Sequence, residues 1–222
     1  GGGGAIEADL VVHADGSGRF DSAGPTPNAN GLVGLKCHAR PNRPIVGIRM
    51  RSAPGAYCGA IAVEDGLTTF AMCATPAALA RHKGDRDALL AHIWPGYDAS
   101  QREGDWMACG VARSRYINPG HPRSFRIGNA AAAVDPVGGE GIGLALWSAA
   151  RLSELLEADH SLETIHARFA AIYRHRLRTR RHACRAAAEV LLRPRLVRTL
   201  WPALALPTIT IRPWYRLTGK PV

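Results

Sequence analysis

The 222-residue sequence predicts an α/β fold with an inserted α+β part: two segments of one strand-and-helix layer, separated in the chain by an antiparallel β-sheet and followed by a C-terminal helical tail. Three observations carry this. Between Phe125 and Leu156 a short apolar run enters a turn at Gly128-Asn129, crosses small residues and glycines, and then takes on helical spacing. Far upstream, a second apolar run, Leu10-Val11-Val12, ends in the turn dipeptide Asp15-Gly16, the form of a buried parallel strand. Between the two, residues 31–75 break into short runs bounded by turn residues, as an antiparallel sheet does.

In chain order, the strand at residues 10–12 is followed by a turn-rich link, Ser22 to Asn30, whose Gly24-Pro25-Thr26-Pro27 carries the chain out of the first segment. Strands are expected at 31–39, 45–50, 57–63 and 67–73, the last two joined by the hairpin-like Glu64-Asp65-Gly66. With period 2, Lys36 and His38 share one face of the first of these if Leu35 and Cys37 share the other. Thr75-Pro76 opens a helix to His82, and Arg86 to Ile93 forms another before Trp94-Pro95-Gly96. Trp106 to Tyr116 reads as a returning strand on which Arg113 and Arg115 alternate, facing either an anionic group or solvent. The turn Asn118 to Pro122 leads into the second segment. The expected divisions are therefore 1–20 and 106–158 for the split layer, 21–105 for the insert and 159–222 for the basic helical region.

The glycine-rich stretch holds the chemistry. After Ala130 to Ala133 come Asp135-Pro136 and then Gly138, Gly139, Gly141 and Gly143. Beyond them Ile142, Leu146, Ala149, Leu152 and Leu156 recur at three- and four-residue steps, the expected buried stripe of a helix. Glycines let a ligand touch backbone closely. The first turn of a helix offers unpaired N–H groups and a positive dipole end, which favour negative charge. A glycine loop before an ordinary buried helix is the alternative.

Taken together, Asp15-Gly16, Gly128-Asn129 and Asp135-Pro136-Val137-Gly138-Gly139-Glu140-Gly141-Ile142 resemble the later fingerprints of FAD-dependent oxidoreductases with the aromatic-hydroxylase fold. The similar branch is that of geranylgeranyl reductases, flavin monooxygenases and halogenase-like proteins. The resemblance implies a partial FAD-binding, Rossmann-like domain. The Asp15-Gly16 turn would help hold the pyrophosphate, and Gly128-Asn129 would bind ribitol or ribose hydroxyls. The stretch from Asp135 and Pro136 through Gly138, Gly139, Gly141 and Ile142 would pack on the isoalloxazine ring. Asn129 stands where the family usually has aspartate, and His13 where glycine is common. The resemblance further implies that FAD takes a hydride from NAD(P)H and passes electrons to an organic substrate or to oxygen. The sheet over 31–75 would form the back wall of the substrate pocket, with Tyr57 and Lys36 as pocket residues; a packed tyrosine and a solvated lysine are the alternatives. The family's opening Gly-x-Gly-x-x-Gly turn and ribose-binding acid are absent from this sequence. The expectation is thus a chain that starts roughly mid-protein, through truncation, gene splitting or partial sequencing; in the split case the N-terminal half is on another chain. A non-catalytic remnant or partner module of a split flavoprotein is one rival reading, and a membrane-surface adaptor that uses the basic tail is another.

Charge sets further bounds. The net charge is +10, but from Arg168 onward there are twelve arginines, one lysine and a single acid, Glu189. Over residues 162–192 Ile165, Phe169, Ile172, Tyr173 and Leu177 form an apolar stripe, while Arg174, Arg176, Arg178, Arg180, Arg181 and Arg185 fill the remainder as a solvated basic face. The tail beyond adds Trp201, Leu204, Leu206, Ile209, Ile211, Trp214 and Tyr215, interrupted by prolines. Apolar plus basic suits a lipophilic small-molecule substrate and peripheral contact with an anionic membrane surface. Nucleic acid is not expected, because no groove-reading or base-stacking motif accompanies the charge. Five scattered cysteines without a Cys-x-x-Cys pair, and histidines without ligand spacing, predict reduced thiols, a cytoplasmic setting and no metal.

Overall fold

The structure, a computed structural model, describes residues 7–16, 31–111, 120–158 and 160–204. In chain order the strands and helices are β1 (Val11–His13), β2 (Val33–Ala39), β3 (Arg49–Ala53), β4 (Ala56–Ala62), β5 (Thr68–Ala74), α1 (Pro76–Arg81), α2 (Arg86–Ile93), β6 (Arg102–Gly110), β7 (Gly120–His121), β8 (Ser124–Arg126), α3 (Gly141–Glu157), α4 (Leu162–Leu191) and α5 (Pro194–Leu204). They form two compact units. Among the described residues, the first comprises 7–16 and 120–185, the second 31–111 and 186–204. Arg113, Arg115, the 22–30 link and the tail from 205 onward lie outside the described residues.

The first unit is built on β1, which pairs in parallel with β8; β8 in turn pairs antiparallel with β7. Phe125 on β8 is fully buried and meets Phe169 edge to face at 6.1 Å. Phe169 meets Tyr173 at 5.4 Å in the same way. With Leu144, Leu152, Ile165 and Leu177 these rings make one apolar core between α3, α4 and the small sheet. The run Ala130 to Ala133 is buried, its methyl groups letting backbone lie against that core.

Two expected faces are corrected here. On α3 the buried positions are Leu144, Ser148 and Leu152, while Ile142 (80 % exposed) and Leu146 (68 %) face outward, with Ala149 and Leu156. The helix is rotated from the apolar-only expectation because its inner side must receive the Gly128 turn, which needs the small Ala145 and the hydroxyl of Ser148. On α4 the stripe Ile165, Phe169, Tyr173, Leu177 is buried as expected, but Ile172 is exposed. Arg180 is buried and Arg176 half-buried, so the arginine face is not wholly solvated.

The second unit is a five-stranded antiparallel sheet in the order β3-β4-β5-β2-β6. Leu35, Cys37, Ala60, Phe70 and Met72 point to one face, against Leu89, Leu90 and Ile93 of α2 and Ala78 of α1. The Thr75 hydroxyl caps α1 by accepting from the Ala78 N–H at 3.1 Å, and the Asp85 carboxylate caps α2 through Ala88 at 3.0 Å. Two strands differ from the sequence expectation. The residues 45–48 are not strand: Gly47 takes φ +66°, and the pairing instead runs to Ala53, because the two-residue Pro54-Gly55 turn (Gly55 φ +77°) sets Ala53 opposite Ala56. The β6 strand begins at Arg102, not Trp106; the charged Arg102, Glu103 and Asp105 concealed its first turn of alternation, and a bulge opposite Lys36 to His38 lets it pair.

Half-buried against the core of this unit, the Tyr97 hydroxyl donates to Asp87 Oδ1 at 2.6 Å, and the Arg102 guanidinium lies 3.3 Å from the same oxygen. Burial, and then the bond to Asp87, raises the Tyr97 phenol. Burial pushes the neighbouring Cys37 thiol from 9.0 up to about 11. Folding therefore disfavours the Cys37 thiolate, so the associated stability is complete below pH 9 and is lost as pH rises through about 11. Urea midpoints followed by circular dichroism should stay level to pH 9 and fall between pH 9 and 11, and Cys37→Ala should flatten part of that fall.

Candidate functional site

The register of β1 on β8 decides where the two distant turns go. His13 lies opposite Arg126, and the Ile127 N–H donates to the His13 carbonyl at 3.0 Å. Both strands run the same way, so Asp15-Gly16 and Gly128-Asn129 leave neighbouring strand ends on the same side. That is the carboxyl edge of a parallel pair, where α/β sheets bind ligands. Gly16 takes φ +69°, a left-handed turn open only to residues without a Cβ at low strain, and its missing side chain faces open space. His13 does not enter the turn; its Nε2 lies 3.0 Å from Ser124 Oγ.

The second turn is fixed from three sides. Gly128 takes φ +56°, and a Cβ there would sit 3.1 Å from the Ala145 Cβ. Its N–H donates to Ser148 Oγ at 2.9 Å, while Ser148 donates onward to the Ala145 carbonyl at 3.0 Å. Its carbonyl accepts from the Tyr173 hydroxyl at 2.8 Å. Gly128 is thus buried and spent on packing. Its neighbour Asn129 is exposed, with Nδ2 3.6 Å from the point where a Gly141 Cβ would stand. The Asn129 carboxamide therefore borders the start of α3.

The stretch 135–143 divides by role. Asp135 is buried, and its Oδ1 accepts from the Val137 N–H at 3.3 Å, capping the 3₁₀ turn Pro136–Gly138. Gly138 is buried against α4: a Cβ would meet Cys184 Sγ at 2.8 Å. Gly139 (φ +63°) and Gly143, by contrast, face open space, and Gly141 and Ile142 are exposed. No side chain caps α3; Glu140, at its N-cap position, turns instead toward Arg180 at 3.6 Å, both side chains being nearly buried. The Arg176 guanidinium sits 4.3 Å from the centre of the Trp147 ring, and burial lowers its pKa, with Arg180 adding to the effect. Among the described residues, the 17-residue helix thus begins with N–H groups at Gly141, Ile142 and Gly143 that meet no acceptor, beside Asn129.

Of the sequence-predicted residues, then, Gly16, Asn129, Gly139, Gly141 and Ile142 present open or exposed positions near these turns, and Asp15 adjoins them through the register. Asp135, Gly128 and Gly138 are turned inward and shape the backbone. Tyr173, Ser148, Arg180 and Cys184 were missed. In the sequence Tyr173 belongs only to an apolar stripe and Arg180 only to a basic one; spacing along one helix carries no sign of what it touches 45 residues away.

Tyr57 and Lys36 belong to the second unit. The registers Tyr57–Cys73–Gly34 and Gly59–Ala71–Lys36 put them on the same sheet face, opposite the helices. Tyr57 is buried and Lys36 exposed, with two strand spacings between them, so they are not neighbours. Along the Lys36 row lie Met50, Gly59, Ala71 and Met107, an apolar surface with one ammonium.

No protein-family model matches this chain, and no curated protein does. Solved structures do. The chain is similar to the flavin-dependent brominase Bmp2 (TM-score 0.72, 14 % identity, 96 % of this chain and 57 % of that one). It is similar to HpxO of Klebsiella pneumoniae, solved with FAD and uric acid (0.68, 17 %, 98 % and 61 %). A third is PqsL, a probable FAD-dependent monooxygenase from Pseudomonas aeruginosa (0.63, 17 %, 87 % and 59 %). The fold is that of FAD-dependent monooxygenases and halogenases, and the chain spans about three fifths of their length.

The contact between Gly138 and Cys184 gives a two-residue test. Gly138→Ala alone should destabilise by about 1–3 kcal/mol, the range for overpacking a filled site. Adding Cys184→Ala should recover most of that loss, which a double-mutant cycle of urea midpoints measures.

Proposed function

We propose that this chain is part of a flavin-dependent oxidoreductase of the geranylgeranyl reductase, flavin monooxygenase and halogenase-like branch, using NAD(P)H as donor and acting on a lipophilic organic substrate. The observation that carries the reading is the parallel pairing of β1 with β8, which leaves Asp15-Gly16 and Gly128-Asn129 side by side with the uncapped start of α3 against Asn129. That arrangement suits FAD. Gly16, Gly139 and Gly143 leave room where side chains would stand, and the first N–H groups of α3 favour a negatively charged group. The Asn129 carboxamide can donate to or accept from a ribitol or ribose hydroxyl.

Bound FAD would supply hydride and electron transfer between the donor and the substrate or oxygen. This chain's part is to hold and to bias. Asp15-Gly16 would seat the pyrophosphate with backbone, and Asn129 would fix the hydroxyl chain. The N–H groups of Gly141, Ile142 and Gly143 would stabilise negative charge by fixed dipoles that need no reorganisation. Asp135 and Pro136 keep the turn in shape behind them, Asp135 through its bond to Val137. Tyr57 and Lys36 would lie on the substrate side, Lys36 offering a positive charge within an apolar surface.

The phosphate-binding glycine turn is proposed to come from a separate segment, on this or another chain. The outer edge of β1 is unpaired among the described residues, with Val11 and Val12 about two-fifths exposed, and Ile142 and Leu146 are bare on α3. An added parallel strand would pair along that edge, while Ile142 stays open toward the cofactor.

Co-expression with a strand–glycine turn–helix half from a structural relative should yield a yellow complex that retains FAD through gel filtration. In that complex Gly141→Leu should weaken FAD by roughly ten- to hundredfold, matching about 1–3 kcal/mol of overpacking. Unchanged FAD affinity, with unchanged circular dichroism, would remove α3 from the cofactor site.

A further inference from the structure

The flavin reading makes no use of α5, and this helix has an unusual surface. Leu196 and Leu200, one turn apart on the same face, are 40 % and 41 % exposed. Arg195 and Arg198 occupy the other side of the helix and are exposed, and among the described residues neither meets a carboxylate. Arg193, just ahead of the helix, pairs with Glu189 at 3.2 Å. From residue 190 to the end of the sequence there are six basic residues and no acid. The helix is held at its base, where the Gly55 N–H donates to the Leu192 carbonyl at 2.9 Å. Its first turn is closed by Leu196 and Val197 N–H groups donating to the Arg193 carbonyl.

A helix of 11 residues is about 17 Å long, too short to span a bilayer, and no helix among the described residues is long and apolar enough to cross one. A helix with an apolar side and arginines on the other suits the plane of a membrane surface, its leucines entering the headgroup boundary and its arginines meeting anionic lipid. We propose that α5 docks this protein on membranes rich in anionic lipid, through Leu196 and Leu200 together with Arg195 and Arg198. Apolar burial and charge act jointly: the leucines separate this surface from one that merely attracts polyanions, and the missing acids separate it from an ordinary amphipathic helix awaiting a core.

The test is flotation of the full chain with vesicles of phosphatidylcholine alone and with added phosphatidylserine. Binding is expected to the mixed vesicles and not to the zwitterionic ones, with loss at high salt. Arg195→Gln with Arg198→Gln should weaken it roughly thirtyfold, at about 1 kcal/mol for each charge near the surface. Leu196→Ser with Leu200→Ser, which leaves the charge intact, should weaken it roughly tenfold or more. All four side chains are exposed, so thermal melting should be unchanged and would certify the fold of each variant. Equal binding to zwitterionic vesicles overturns the proposal. So does binding that survives the leucine substitutions but is competed away by single-stranded DNA, since the surface would then be a charge-driven nucleic-acid site.

Discussion

The residue on which the first unit depends is Gly128. Its backbone is left-handed, its absent side chain admits Ala145, its N–H is taken by Ser148 and its carbonyl by Tyr173. A buried residue whose backbone N–H and carbonyl are both matched is stable where it lies, and leaving either atom unmatched would cost about 1–3 kcal/mol. Because the partners come from α3 and α4, this one turn ties the end of β8 to both helices. It also fixes how α3 is rotated and therefore which side of Asn129 is left bare. The geometry of the candidate site is a by-product of satisfying one glycine.

Helix α4 has a comparable place. Tyr173 supports the first turn, and Arg180 and Cys184 support the second through Glu140 and Gly138. An ion pair as enclosed as Glu140 with Arg180 gains little net stability over an apolar pair, because both charges lose water. Its value lies in direction: breaking it strands a charge, so the loop has one conformation that avoids this. The basic helix is thus a backing for the glycine-rich stretch along one side, whatever its remaining arginines do in solvent.

Much of the architecture was legible because the local signals agreed with the packing. Leu35 and Cys37 face inward while Lys36 and His38 do not, and Thr75 and Asp85 sit where helices start. The order strand, turn, glycines, helix over 125–157 is equally plain in both sequence and structure. The failures have a common cause in contacts remote along the chain. The inner face of α3 is chosen by a serine that an apolar pattern skips over, and the start of β6 is written in charged residues paired across the sheet by Ala39 and His38. Arg180 is buried because a glutamate forty residues earlier awaits it. Within the site itself, the sequence marked which residues belong to the turns but not which of them face outward; Gly138 and Gly139 are adjacent, yet one is wedged against sulfur and the other is bare.

That wedge has a consequence for dynamics. Cys184 is a fully buried cysteine outside any disulfide, and its sulfur fills the hollow left by Gly138. The Gly138 backbone covers the sulfur on that side, so lifting the loop uncovers it. The pace at which Cys184 takes up an alkylating agent under native conditions is consequently a clock for the lifting of the glycine-rich loop, a local opening far smaller than unfolding and readable without any cofactor.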